Sequence, residues 1–192
     1  GKVAQQAEDG VDQLLDVVAY GDVTRDTTRF PEFSPELRGS MASEVRSFVE
    51  HVVFEEGLGV RELLTAPYTF ADARLAAVYG LPGTFGDTMT QADLDPTERA
   101  GLLTMVGFLT VNATAFETDP IHRGVFLNRR LLCADLPAPP MMVPALPADT
   151  SGMLTMRERI SAHTGTCGAS CHGTMINPIG FAFEHFDALG RV

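Results

Sequence analysis

Apolar residues recur at helical spacing along most of this chain of 192 residues, and no segment shows a convincing alternation of apolar and polar residues. Helical spacing gathers apolar side chains on one face of a helix, whereas alternation is typical of a half-buried strand. The pattern predicts an all-α fold, built as a single irregular helical domain. Helices are predicted near residues 3–19, 35–56, 71–79, 98–111, 119–132, 155–163 and 178–189.

Three of these helices have clear start signals. A side chain that caps the helix, followed by proline at the first helical position, begins two of them. A threonine with a glutamate three residues later forms a capping box at the third. The starts are Ser34-Pro35, Asp119-Pro120 and Thr155 with Glu158.

The helix from Pro35 has a defined apolar stripe, and the helix near 98–111 is apolar on every side. We expect Glu44 and Glu50 to face water, opposite the stripe. The helix near 98–111 should be the most buried of the fold, and residues 81–94 should form a loop. The stripe consists of Met41, Val45, Phe48, Val49 and Val52.

Proline divides the chain. Five of its twelve prolines lie between Pro137 and Pro147, and proline fixes φ and lacks an N–H. We interpret this stretch as an extended strap packed on the helical body. The predicted division is a helical domain over 1–134, the strap over 135–152 and a cysteine-histidine module over 153–192.

Charge and hydropathy exclude some classes of partner. The net charge of −11 would repel nucleic acid and anionic lipid and favours contact with basic protein surfaces. The most apolar run, residues 102–111, is too short to cross a bilayer, so no membrane span is predicted in this segment.

Two cysteines followed at once by a histidine carry the chemistry. Cys167 and Cys171 are separated by three residues, and His172 follows directly. Covalent haem attachment needs such a pattern, because each thiol adds to one vinyl group and the imidazole then binds the iron. Two alternatives stay open: a disulfide among the cysteines, and a zinc site formed by Cys133, Cys167, Cys171 and His172. The haem-attachment interpretation predicts one covalent haem c.

Several motifs resemble the planctomycete-type cytochrome c-like proteins, a group built from domains of unknown function. That family shows Arg-Glu, a histidine, the Cys-His motif, Asp-Pro-x-Gly-Phe and Glu-x-Phe-Asp-x-x-Gly in this order. In this chain one residue more separates the cysteines, one residue more follows the histidine, and asparagine replaces the aspartate. The corresponding segments are Arg157-Glu158, His163, Cys167–His172, Asn177–Phe181 and Glu184–Gly190, preceded by Asp119–Gly124. The resemblance implies that the chain is part of a longer polypeptide, covering its central and C-terminal modules.

Other residues could contribute to such a site. His163 shares the inward face of its helix with Met156, and it is the first choice for the sixth iron ligand, ahead of Met105. Arg123 is a candidate partner for a haem propionate or for Asp119, because positive charge is otherwise unfavourable in a first helical turn.

Two further side chains are expected to have ordinary roles. Glu184 should lie on a solvated helix face. Cys133, at the end of an amphipathic helix, should be a buried free thiol or should pair outside this segment.

The leading hypothesis is a c-type haem domain that transfers electrons within a larger exported oxidoreductase or respiratory assembly. Its partners would be redox proteins or other modules of the same polypeptide, and its location the periplasm or another exported compartment, where haem is attached. The alternative is a haem-free, disulfide-bonded helical scaffold that mediates contacts in the cell envelope. A peroxidase-like haem enzyme is a third hypothesis, so enzymatic activity is left open.

Overall fold

A computed structural model describes residues 10, 21–139, 142, 145–147, 152, 154–165 and 168–192. The structure is about 51% helical with one small sheet, so the prediction of a mostly helical fold is confirmed. The chain forms two compact units, one of residues 1–111 with 188–192 and one of residues 112–187. The predicted helix over 3–19 and much of the strap lie outside the described residues, and the predicted boundaries at 134 and 152 stay predictions.

The first unit is built on helix α1, Pro35–Val49, which continues as a π-helical segment, Glu50–Glu55. As predicted, the side chain of Ser34 accepts a hydrogen bond from the backbone N–H of Leu37 at 3.2 Å, and the whole predicted apolar stripe is buried. The helix therefore begins and packs as its sequence indicates.

Short elements complete the first unit. They are α2 (Val60–Thr65), β1 (Tyr68–Ala71), α3 (Ala73–Tyr79), β2 (Thr90–Asp93), a 3₁₀ turn (Leu102–Thr104) and α4 (Val106–Val111). The strands pair antiparallel, with Tyr68 opposite Asp93 and Ala71 opposite Thr90. The expectation of a loop over 81–94 is thus wrong for residues 90–93.

The segment near 98–111 is a 3₁₀ turn and a short helix rather than one helix, but its predicted burial is confirmed. Met105, Val106, Phe108 and Leu109 are at most 1% exposed. The chain end packs here as well. A Cβ on Gly190, whose φ is +77°, would lie 3.2 Å from the Cα of Val106 and 3.3 Å from the Cβ of Leu109.

The second unit contains α5 (Pro120–Phe126) with a π-helical continuation (Leu127–Leu131), and α6 (Met156–Thr164). These are followed by α7 (Ala169–Cys171), a π-helical turn (His172–Ile176), α8 (Asn177–Gly180) and a 3₁₀ turn (Phe181–Phe183). The Asp119 cap and the Thr155–Glu158 capping box are both present, as predicted. The last helix is shorter than predicted, since helical structure stops at Phe183.

Helix α5 approaches the π-helical turn and α8 closely at two glycines, Gly124 and Gly180. A Cβ on Gly124 would lie 2.3 Å from the carbonyl oxygen of Ile176, and one on Gly180 would lie 2.0 Å from that of Pro120. Real Cβ atoms do not come so close to backbone oxygens, so only glycine allows this contact. The glycines in the two proline motifs therefore have a packing role: they bring the segment after His172 directly against α5.

Candidate functional site

The cysteine-histidine motif lies at the start of a helical segment, and its first turn begins at Gly168. The backbone N–H groups of Cys171 and His172 donate to the carbonyl oxygen of Gly168 at 3.1 and 2.7 Å. Cys171 is a half-buried free thiol next to the half-buried His172. Cys167, the other predicted attachment point, lies outside the described residues. The turn thus holds a thiol and an imidazole together at the start of one helical run.

The ring of His172 is oriented by a chain of hydrogen bonds. Its Nδ1 lies 3.2 Å from Oδ1 of Asn177, and Nδ2 of Asn177 donates to Oγ1 of Thr164 at 2.9 Å. The hydroxyl of Thr164 donates in turn to the carbonyl oxygen of Ile160 at 2.8 Å. Asn177 and Thr164 are both buried. His172 is therefore linked to the interior of α6.

The chain of hydrogen bonds fixes which nitrogen of His172 carries the proton. A hydroxyl has one proton, and that of Thr164 is used on a carbonyl, so Oγ1 must accept from the amide nitrogen of Asn177. The amide oxygen of Asn177 then faces Nδ1 of His172, which must be the donor. The neutral ring consequently keeps its lone pair on Nε2, the form in which imidazole binds a metal.

Gly168 packs against the same ring. A Cβ on Gly168 would lie 2.6 Å from Cδ2 of His172 and 3.3 Å from the carbonyl oxygen of Thr164. A side chain at this position would therefore displace the ring. The ring of His172 thus packs too closely against Gly168 to leave room for a side chain there, while its Nδ1 faces Asn177.

A π-helical turn brings Asn177 to His172. The backbone N–H of Asn177 donates to the carbonyl oxygen of His172, five residues earlier, whereas in an α-helix it would donate to the residue four positions earlier. Asn177 thus contacts His172 through both its main chain and its side chain. The turn is therefore one residue wider than an α-helical turn.

A buried ion pair anchors the helices that support the turn. Arg123 is fully buried, pairs with Glu184, and donates to the carbonyl oxygen of Gly180 at 3.0 Å. Burial lowers the pKa of the arginine, and the neighbouring Glu184 opposes that shift. Thr118 also donates to Glu184, at 2.8 Å. The expectation that Glu184 is solvated is wrong, because its partner comes from α5, far away in sequence.

Cys133 lies outside the cysteine-histidine turn. It is exposed, so its predicted burial is wrong. It follows the π-helical end of α5 with φ of +51°, and the N–H of Ala134 donates to the carbonyl oxygen of Asn128 at 2.8 Å. This left-handed cap turns the side chain outward. Among the described residues no three His, Cys, Asp or Glu side chains could hold a metal ion, so Cys133, Cys171 and His172 do not form a zinc cluster there.

The two candidate sixth ligands are placed differently. His163 is half-buried in the last turn of α6, next to Thr164. Thr164 connects to the Nδ1 side of His172, and an iron would bind at Nε2, on the other side of the ring. Met105 is buried in the first unit. The role of either residue as a ligand stays a prediction.

An open cavity of about 510 Å³ also occurs in the second unit, beside Phe181. The guanidinium of Arg157 lies 4.9 Å from the centre of the Phe181 ring and donates to the Phe181 carbonyl oxygen at 2.7 Å. Glu184, which also lines the cavity, is held by Arg123. Both of these charged side chains of the cavity are therefore held by other residues of the protein, and neither Cys171 nor His172 lines the cavity. We place the candidate site at the cysteine-histidine turn.

The expectation that Glu44 faces water is wrong, and sequence reasoning thereby missed a buried carboxyl group in the first unit. Glu44 is fully buried, accepts a hydrogen bond from the Thr69 hydroxyl at 2.6 Å and another from the Tyr79 hydroxyl. Burial raises its pKa to about 7, although these hydrogen bonds oppose the shift. The spacing contained the signal: Glu44 lies three residues after Met41 and four before Phe48, on the apolar face.

Comparison with known proteins agrees with the motif resemblance. Residues 99–192 match the family described as PSCyt3, protein of unknown function (DUF1588), and residues 2–81 match PSD4, protein of unknown function (DUF1592). Both are planctomycete-type cytochrome c-like domains, and together they indicate part of a larger multidomain polypeptide. No curated protein and no solved structure matches the chain. In the described part of the chain, no helix has the length and apolar character needed to span a membrane.

Proposed function

We propose that this chain carries one covalent haem c and serves as an electron-transfer domain. The observation that carries the proposal is the His172 ring, which is fixed by Asn177 with its lone pair on Nε2, next to the Cys171 thiol. Cys167 and Cys171 would form the thioether bonds, and His172 would bind the iron. The haem would supply one-electron chemistry, while the residues around His172 hold its ring in one orientation.

The donor set fits this group better than it fits the alternatives. A structural zinc site needs four ligands close together, and Cys133 is exposed on another part of the second unit. A haem needs only the thiols and one axial imidazole from this turn. Fixing the proton on Nδ1 is what an axial histidine requires, because the iron must find a free lone pair on Nε2.

Location and partners follow from the same proposal. Haem c is attached outside the cytoplasm, so the protein would be periplasmic or otherwise exported. The net charge of −11 favours redox partners, or other modules of the same polypeptide, that present basic surfaces. His163, in the last turn of α6 beside Thr164, is the proposed sixth ligand.

Expression of the full chain in a host that matures cytochromes c tests the proposal. We expect an intact mass larger than the apoprotein by one haem and a pyridine haemochrome spectrum typical of two thioether bonds. Cys171→Ser should lower covalent haem incorporation and change that spectrum, whereas the matched control Cys133→Ser should retain both signals. A protein without a Soret band, lighter than its reduced chain by two hydrogens, would instead support the disulfide-bonded scaffold.

A further inference from the structure

We propose that Thr164 and Asn177 are positioning residues that determine which tautomer His172 adopts, and that the amide at position 177 raises the reduction potential of a haem bound there. The effect on the reduction potential rests on the proposed function, whereas the choice of tautomer concerns the apoprotein alone. The observation is the hydrogen-bond chain from Ile160 through Thr164 and Asn177 to His172.

Thr164 acts on His172 only through Asn177. The amide of Asn177 has two faces, and without a fixed neighbour either the oxygen or the nitrogen could point at the imidazole. The hydroxyl of Thr164 removes this freedom. It donates its one proton to the carbonyl oxygen of Ile160, so toward Asn177 it can only accept a hydrogen bond, from Nδ2. The buried hydroxyl of Thr164 therefore selects the amide oxygen for His172.

The main chain holds Asn177 close to His172 independently of the side-chain amide. The N–H of Asn177 donates to the carbonyl oxygen of His172, so the two residues stay together whichever way the amide turns. Met175, between them, is held by Asn128, whose Nδ2 donates to its carbonyl oxygen at 3.0 Å. Because the backbone of the turn is fixed independently, Thr164 controls the orientation of one amide group rather than the fold of the segment.

The chemical identity of residue 177 should then affect the iron. A carboxylate is a stronger acceptor than an amide, pulls the Nδ1 proton more strongly, and makes Nε2 a better electron donor. Stronger donation favours ferric iron and lowers the potential. Asparagine at this position, where the resembled family has aspartate, is therefore expected to favour the reduced haem.

The first test uses the apoprotein and ¹⁵N NMR of the histidine rings at a pH where His172 is neutral. Free histidine carries its proton mostly on Nε2, so an Nδ1–H signal for His172 is diagnostic. We expect that signal in the wild type and in Thr164→Ser, which keeps the hydroxyl, and a shift toward the Nε2–H form in Thr164→Val. A wild-type ring protonated on Nε2, or a Thr164→Val ring unchanged from wild type, would overturn the role of Thr164.

The second test uses the haem-loaded protein and its reduction potential. We expect Asn177→Asp to lower the midpoint potential while the haem content stays the same. An unchanged or higher potential would overturn the effect assigned to the amide. If no haem attaches to the wild type, the proposed function fails, whereas the NMR result on the apoprotein still decides whether Thr164 and Asn177 position the ring.

Discussion

Replacing Glu44 by glutamine should change how the stability of the protein depends on pH. Burial raises the pKa of Glu44 from 4.5 to about 7, so the folded chain binds a proton that the unfolded chain releases between these pH values. Stability contributed by this group is therefore present at low pH and is lost as pH rises toward about 7. At 1.36 kcal/mol for each pKa unit, the loss amounts to about 3 kcal/mol.

Glutamine imitates the protonated carboxyl group. Its carbonyl oxygen can still accept from Thr69 and Tyr79, and its amide replaces Oε2, which has no hydrogen-bond partner. Near pH 5 we expect Glu44→Gln and wild type to have similar free energies of unfolding. At pH 8 the variant should be more stable by about 2 to 3 kcal/mol, because the wild type there buries an ionised group.

Urea unfolding followed by circular dichroism at pH 5, 6, 7 and 8 measures this difference, provided that the m-values agree. Glu50→Gln, at an exposed position just after α1, is the matched control and should follow the wild-type curve. If the pH profiles of wild type and Glu44→Gln run parallel, the reasoning about the buried carboxyl is refuted.

Three further predictions concern stability. Cys133→Gly should raise the free energy of unfolding by about 1 kcal/mol in thermal or urea unfolding, because glycine adopts φ of +51° without strain; a loss of stability would contradict this. Gly124→Ala should lower the free energy of unfolding by about 3 kcal/mol through its clash with Ile176 in the π-helical turn, while Gly173→Ala, which meets nothing within 4 Å, should be nearly neutral; equal effects would show that the glycine contact is unimportant. Arg123→Met should lower the free energy of unfolding by about 3 to 5 kcal/mol, and by much less when Glu184→Gln is already present, because no unpaired buried charge is then left. Additive effects in the double-mutant cycle would argue against the buried pair.

Local signals were the part of the fold that could be predicted from the sequence. The caps at Ser34, Asp119 and Thr155 form as predicted, because each involves groups at most three residues apart. The apolar stripe of α1 is buried for a related reason, since its spacing alone defines a face.

Features that depend on distant partners could not be predicted in this way. The hydrogen-bond partners of Glu44 are Thr69 and Tyr79, which come from other elements, and Glu184 is buried because Arg123 reaches it from α5. Strand β2 exists because β1 pairs with it, although its own residues show little alternation. In each case the deciding group lies at least 19 residues away in the chain, beyond the range of periodicity arguments.

The candidate site likewise contains residues that the sequence indicates and residues that it does not. Cys171 and His172 were identified from their spacing and chemistry. The residues that orient the ring were not, because Thr164 is 13 residues from Asn177 and the link to His172 crosses a π-helical turn. An asparagine followed by proline soon after the histidine was the available signal, and its role becomes clear only once the hydrogen bonds are known.

The wide turn at His172–Ile176 makes the site tolerant of a change in chain length. In a regular helix one inserted residue rotates everything after it by about 100°, which would carry Gly180 away from Pro120. A π-helical turn holds one residue more than an α-helical turn, and here that residue is confined to a single turn, so the segment from Asn177 onward meets α5. Two chains that differ by one residue after the histidine can therefore share the same support for its ring, and a search that demands fixed spacing would separate them.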